Sequence, residues 1–270
     1  NFRSKFKSRR CHSLLHSWSS KRRNRKRKRY LVHWTIRIFL RLLNIYFYSS
    51  LDHSKLEYSK SAGDADTSFW LEKELSLVRH VEVFQNKPTI LKKAENRLIN
   101  LQKALAKEIS LITDSLPDGI DLYKNQIVRG ENHNGFPFIS LDYPQNFSKT
   151  EMFTLRTLFW WGHYLGFSLI LKGKLLESYL DNLLENRHTE SFKNIYVSLA
   201  PDPWEWKINK TNYSLIDQIS PDGLRKTILE LDYLKIIRVF PVEDEKFMTL
   251  NWAQSGLQFW KDLTPVTFGI

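Results

Sequence analysis

The groups that could do chemistry gather between residues 128 and 163. Arg129, Glu131, Asn132 and His133 come first, then Asp142 and Tyr143, then Arg156, Trp160, Trp161 and His163. A guanidinium forks onto a carboxylate through two parallel hydrogen bonds. Arg156 therefore has two readings. It can pair with Asp142 and fix one element on another, with Glu131 and Arg129 holding a turn in the same way. Alternatively it faces a polar pocket walled by Trp160, Trp161 and Tyr143 and meets a small anionic ligand there. His133 and His163, with Glu131 or Asp142, are metal-ligating types, but the stretch that holds them has no His-Glu-x-x-His, no histidine pair at i, i+4 and no acidic cluster. Neither a metal nor a cofactor is expected. Gly-x-Ser-x-Gly, the phosphate-binding loop and Gly-x-Gly-x-x-Gly are also missing, so the common hydrolase, nucleotidase and dinucleotide readings lack their local signatures. Farther on, Asp202 and Glu205 alternate with Trp204 and Trp206. That run is either a sugar-stacking surface or a rigid turn capped by aromatics.

The same stretch resembles a group of uncharacterised bacterial proteins that share, in this order, Arg129-Gly130-Glu131-Asn132, Gly135-Phe136-Pro137, Leu141-Asp142-Tyr143-Pro144 and Arg156-Thr157-Leu158-Phe159-Trp160-Trp161-Gly162. The resemblance covers residues 100 to 230. It implies a soluble bacterial domain and supplies no mechanism. The basic segment at the start of the chain has no counterpart in the group.

Several elements must position these residues. Phe69, Trp70, Leu71, Leu75, Val78 and Phe84 follow helical spacing, and Pro88 suits the first turn of a second helix. In that helix Leu91, Leu98, Leu105 and Ile112 recur every seven residues, with Ala94, Leu101 and Ile109 beside them. A helical hairpin over 68–84 and 88–114 is expected, its seam read as a packing face. Asn134-Gly135 between apolar runs predicts a two-residue β-turn joining strands at 124–130 and 136–142, the second ended by Pro144. Ser148 and Glu151 form a capping-box pattern, which predicts a helix from there to Phe159. Residues 164–171 read as a buried strand and 176–184 as an amphipathic helix. Further strands are expected at 194–200 and, at the edge, 204–208. Ser220-Pro221 opens another helix, 234–242 is strand or helix, and 244–263 is a closing helix. The order of elements predicts an α+β fold, an antiparallel-biased sheet packed with helices and preceded by a helical hairpin.

The charge is divided unevenly along the chain. Residues 1–50 hold 15 of the 41 Lys and Arg and no acid, leaving 26 basic against 29 acidic residues, a net of −3, in the other 220. The basic total of +12 therefore describes a tail and not the body. A single cysteine, Cys11, excludes an internal disulfide framework. Lys21–Arg29 has eight basic residues in nine, able to meet an anionic membrane or nucleic acid. His33, Arg37, Arg41 and Asn44 make one polar stripe along an otherwise apolar 31–48, the pattern of a helix lying in a membrane interface. We divide the chain into 1–66, a basic segment and linker that is either membrane-directed or foreign to the domain, and 67–270, a single α+β domain. The function expected is a non-catalytic binding or interaction domain in a bacterial cytoplasm. The alternatives are a small-ligand binder or enzyme using Arg129, Asp142, Arg156 and Trp160-Trp161, and peripheral membrane attachment through 21–48.

Overall fold

The computed structural model describes residues 69–269. The expectations for Lys21–Arg29 and 31–48 fall outside them. The fold is α+β. A seven-stranded sheet in the order β1-β2-β3-β4-β7-β5-β6 is antiparallel at every pairing. Its strands are β1 Gln126–His133, β2 Phe136–Phe147, β3 Met152–Trp160, β4 Tyr164–Lys172, β5 Tyr196–Ser198, β6 Tyr213–Leu215 and β7 Leu234–Pro241. Helices α1 Glu72–Val78 and α2 Val81–Ile109 precede the sheet. Helices α3 Leu176–Asn186, α4 Pro221–Leu231 and α5 Trp252–Phe268 are interspersed in it or follow it.

The two N-terminal helices meet at Arg79-His80 and not at Asn86–Pro88. Pro88 lies inside α2, where it donates no hydrogen bond to Phe84 four residues back. The sevenfold seam of α2 is a packing face: Leu91, Ala94, Leu98, Leu101, Leu105 and Ile109 are buried, against α5 and β2. The first helix is shorter than the expected 68–84: Phe69, Trp70 and Leu71 precede α1, Phe84 belongs to α2, and α1 buries no residue.

The turn at Asn134-Gly135 is as expected, with φ of 53° and 88° at its two residues, the left-handed pair that a tight hairpin needs. Pro144 does not end β2. The strand runs on to Phe147, with its register against β3 shifted between Asp142 and Gln145. The capping-box reading is overturned: residues 152–160 form β3. Ser148 and Glu151 still make the local bonds of a cap, Glu151 N donating to Ser148 Oγ at 2.9 Å. Ser148 N also donates to Glu151 O at 3.0 Å, which closes a hairpin loop between β2 and β3. The edge strand expected at 204–208 lies instead at Tyr213–Leu215, and 234–242 resolves as strand β7. The closing helix is split into a 3-10 turn, Glu245–Thr249, and α5, which Asn251 caps by accepting from Gln254 N at 3.2 Å.

Both faces of the sheet are covered. One carries Leu155, Phe159, Phe167, Leu169, Leu234 and Ile236 into the main core beneath the helices. The other carries Leu158, Trp160, Tyr164 and Ile237 into a smaller core completed by Trp206 and Tyr213 from the 199–213 segment.

Candidate functional site

Side chains alternate across a strand, so the chemistry-bearing residues of β2 and β3 divide by parity. Asp142, Arg156 and Ser168 are aligned in register across β2, β3 and β4 on the face away from the helices. Arg156 Nε donates to Asp142 Oδ1 at 2.7 Å and its Nη2 to Oδ2 at 2.8 Å. Thr154 Oγ1 adds a third bond to Oδ1 at 3.2 Å, and the carboxylate is 2% exposed. The Trp204 ring lies 4.3 Å from the guanidinium carbon, a cation–π contact in a poorly solvated place. The pair joins strand to strand, and Arg156 reaches it from β3, not from a helix.

Lys235 on β7 shares this face. It is 3% exposed, donates to Pro203 O and Glu205 O, each at 2.8 Å, and sits 5.5 Å from the Tyr213 ring. Burial, and next the nearby Arg156, push its ammonium down to about 7. The Pro201–Trp206 segment is thereby fastened over the sheet as a turn. Asp202 Oδ1 accepts from Trp204 N at 2.8 Å, Glu205 Oε1 accepts from Lys207 N at 2.6 Å, and both indoles fold inward.

The other expected residues separate. Arg129 pairs with Glu95 of α2 at 2.7 Å, and Glu131 pairs with Lys87, so this end of β1 is tied to the helix and Glu131 is not Arg129's partner. Asn132 Oδ1 accepts from Gly135 N at 2.8 Å and closes the turn. Tyr143 and Trp161 pack with the main core, while Trp160 faces the smaller one, so the three share no wall.

Trp160 and His163 do come together. Their rings stack at 3.6 Å with 24° between planes, and Phe136 meets His163 edge-on at 4.7 Å. Trp160 Nε1 donates to His133 O at 3.3 Å, and His133 stacks on Trp206. Burial lowers both histidines, against the opposing pull of Glu205 on His133 and Glu243 on His163. Nε2 of His163 is shielded and has no hydrogen-bond partner.

Beside this stack opens a cleft of about 730 Å³. Its lining includes Phe136, Trp160, His163, Tyr164, Tyr196, Ile208 and Val239, together with the exposed Lys207 and Glu243. Comparison with protein-family models, curated proteins and solved structures finds no match to this chain. Among the described residues no group of three or more His, Cys, Asp or Glu could hold a metal ion. Tyr196, Lys207, Ile208 and Val239 were not singled out in the sequence. They meet only because β7 crosses to β5 and the 199–213 segment folds back.

Proposed function

We propose that this protein is a non-catalytic binding domain that takes a small, largely apolar ligand in the Trp160–His163 cleft. The observation that carries the reading is the cleft itself. Its volume of about 730 Å³ falls in the range of small-molecule sites, and its walls are aromatic and aliphatic with a few polar groups at the mouth. Asp142, Arg156 and Lys235 support the reading from behind. The bonds of Lys235 to Pro203 O and Glu205 O, and the Arg156 guanidinium held by Asp142 against the Trp204 ring, fasten the segment that leads to Ile208, which lowers the cost of ordering the site around a ligand. The proposal keeps the bacterial cytoplasm as the compartment. Among the described residues no helix is long and apolar enough to cross a membrane.

The test uses N-phenyl-1-naphthylamine, a neutral aromatic probe whose emission rises in apolar surroundings. The protein should enhance its fluorescence, and Ile208→Arg, which places a long cation across the cleft, should reduce that enhancement several-fold. Equal enhancement by the Ile208→Arg variant would remove the cleft as the binding site.

A further inference from the structure

On the helix-covered side a groove runs between α2 and the 247–253 segment. It has two hollows, of about 360 Å³ and 460 Å³, that share Arg97 and Trp252. The first is floored by Ile90, Ala94, Phe159, Phe247 and Met248, with Lys93 at its edge. Ile90, Lys93, Ala94 and Arg97 fall at i, i+3, i+4 and i+7 of α2, one continuous face of the helix.

The polar groups in this groove point to an anionic partner. Arg97 holds its guanidinium carbon 5.3 Å from the Trp252 ring centroid, and neither Arg97 nor Lys93 has an ion-pair partner among the described residues. Trp252 is 3% exposed, yet its Nε1–H has no acceptor. A buried indole N–H normally finds one, and leaving it unmade costs free energy. Trp252 and Ala253 also open the 17-residue α5. Their backbone N–H groups precede the first intrahelical bonds and sit at the positive end of the helix dipole. The two cations and the buried indole N–H are all donors, and no carboxylate lines either hollow.

We propose that this groove is a second binding site, for an anionic amphiphile of the fatty-acid class. The carboxylate sits among Arg97, Lys93 and Trp252 Nε1. The apolar chain lies along Ile90, Phe159, Phe247 and Met248. The head satisfies donors that the fold leaves idle, and the chain covers Met248, which is 84% exposed. The site goes beyond the cleft reading and shares no residue with it.

The experiment is isothermal titration of the full chain with decanoate below its micellar concentration, with decanol and decyltrimethylammonium as head-group controls. Decanoate should bind, and either control at least tenfold more weakly. Arg97→Ala should weaken decanoate at least tenfold. Lys93→Glu, an exposed charge reversal, and Trp252→Phe, which keeps the bulk and removes the N–H, should weaken it several-fold. Ile208→Arg should leave it unchanged. The proposal is overturned if decyltrimethylammonium binds as tightly as decanoate. It is equally overturned if Lys93→Glu and Trp252→Phe both bind decanoate like the parent, a comparison that stands even where Arg97→Ala does not fold.

Discussion

Lys235 carries a proton into a place that resists charge, and that makes stability depend on pH with a definite sign. Its folded value is about 7 against an ordinary value of 10.5. Below about 7 both folded and unfolded chains hold the proton, and the folded state bears the full cost of the buried ammonium. Between the two values the unfolded chain binds one proton more than the folded one, so stability rises with pH. The neutral amine still has two N–H groups for the carbonyls of Pro203 and Glu205, so deprotonation does not cut the fastening. The gain should approach about 1.4 kcal/mol per pH unit. It is read best below pH 9.5, before tyrosines raised by burial, such as Tyr179 at about 12, begin to act in the opposite direction. Urea denaturation from pH 6 to 9.5 should show this rise in the parent and a flatter curve in Lys235→Met; parallel curves would show that the residue does not titrate there. The Arg156–Asp142 pair was readable in the sequence, because an arginine and an aspartate on neighbouring elements have few other ways to be satisfied. Lys235 was not. A lysine alternating with Leu234 and Ile236 reads as the solvent face of a strand, and only the distant Pro201–Trp206 turn covers it.

At the scale of elements, the error at β3 has a physical origin. A strand with one buried face alternates apolar and polar residues, but β3 is buried on both. Phe153, Leu155 and Phe159 enter the main core while Leu158 and Trp160 enter the smaller one, which blurs the twofold period. Ser148 and Glu151 added a true local signal in a false context, since a tight hairpin loop uses the same bonds as a helix cap. Asn134-Gly135 was readable because left-handed backbone at two successive residues restricts the sequence sharply. The packing of α5 was not, because it rests on a close approach at Gly256. A Cβ there would lie 2.6 Å from Leu101 Cδ1 and 2.8 Å from Phe167 Cε1. An alanine for a glycine in an open helical position stabilises by about 1 kcal/mol. Here overpacking of about 1–3 kcal/mol outweighs it. Gly256→Ala should therefore lower the unfolding free energy in urea. A rise would mean that α5 can move off α2 and β4 at little cost.

For the whole molecule, the sequence divides cleanly into a strongly cationic start and a nearly neutral body, and the α+β architecture of the body followed from its pattern of elements. The antiparallel pairing of β1 with β2 was readable from the Asn134-Gly135 turn, but β3 read as a helix, so the continuation of the meander through β3 to β4 was not. The insertion of β7 between β4 and β5 was not, because it depends on which distant strands share a core. The same separation fixed what could be foreseen of function. Trp160 and His163 are three residues apart, whereas the cleft they border needs residues from 134 to 243. The proposal that residues 21–48 attach the protein to anionic membranes belongs at this scale. Vesicles containing phosphatidylserine should bind the full chain, lose it as salt screens the Lys21–Arg29 charges, and leave a 67–270 fragment in solution. Equal sedimentation of both would place any attachment in the body.

The order of synthesis adds a further consequence. The β1–β4 meander can pair strand by strand as it leaves the ribosome, but α5, which covers much of its apolar face, starts at Trp252 and ends at Phe268, 96 residues after Lys172. At about 5–20 residues per second, the nascent sheet waits roughly 5 to 20 seconds with Leu155, Phe159, Phe167 and Leu169 incompletely covered. During that interval α2, already made and already lined with leucines, is the cover available to it. A chain in which α2 can serve as a provisional lid for its own unfinished sheet gains from carrying that helix ahead of the strands.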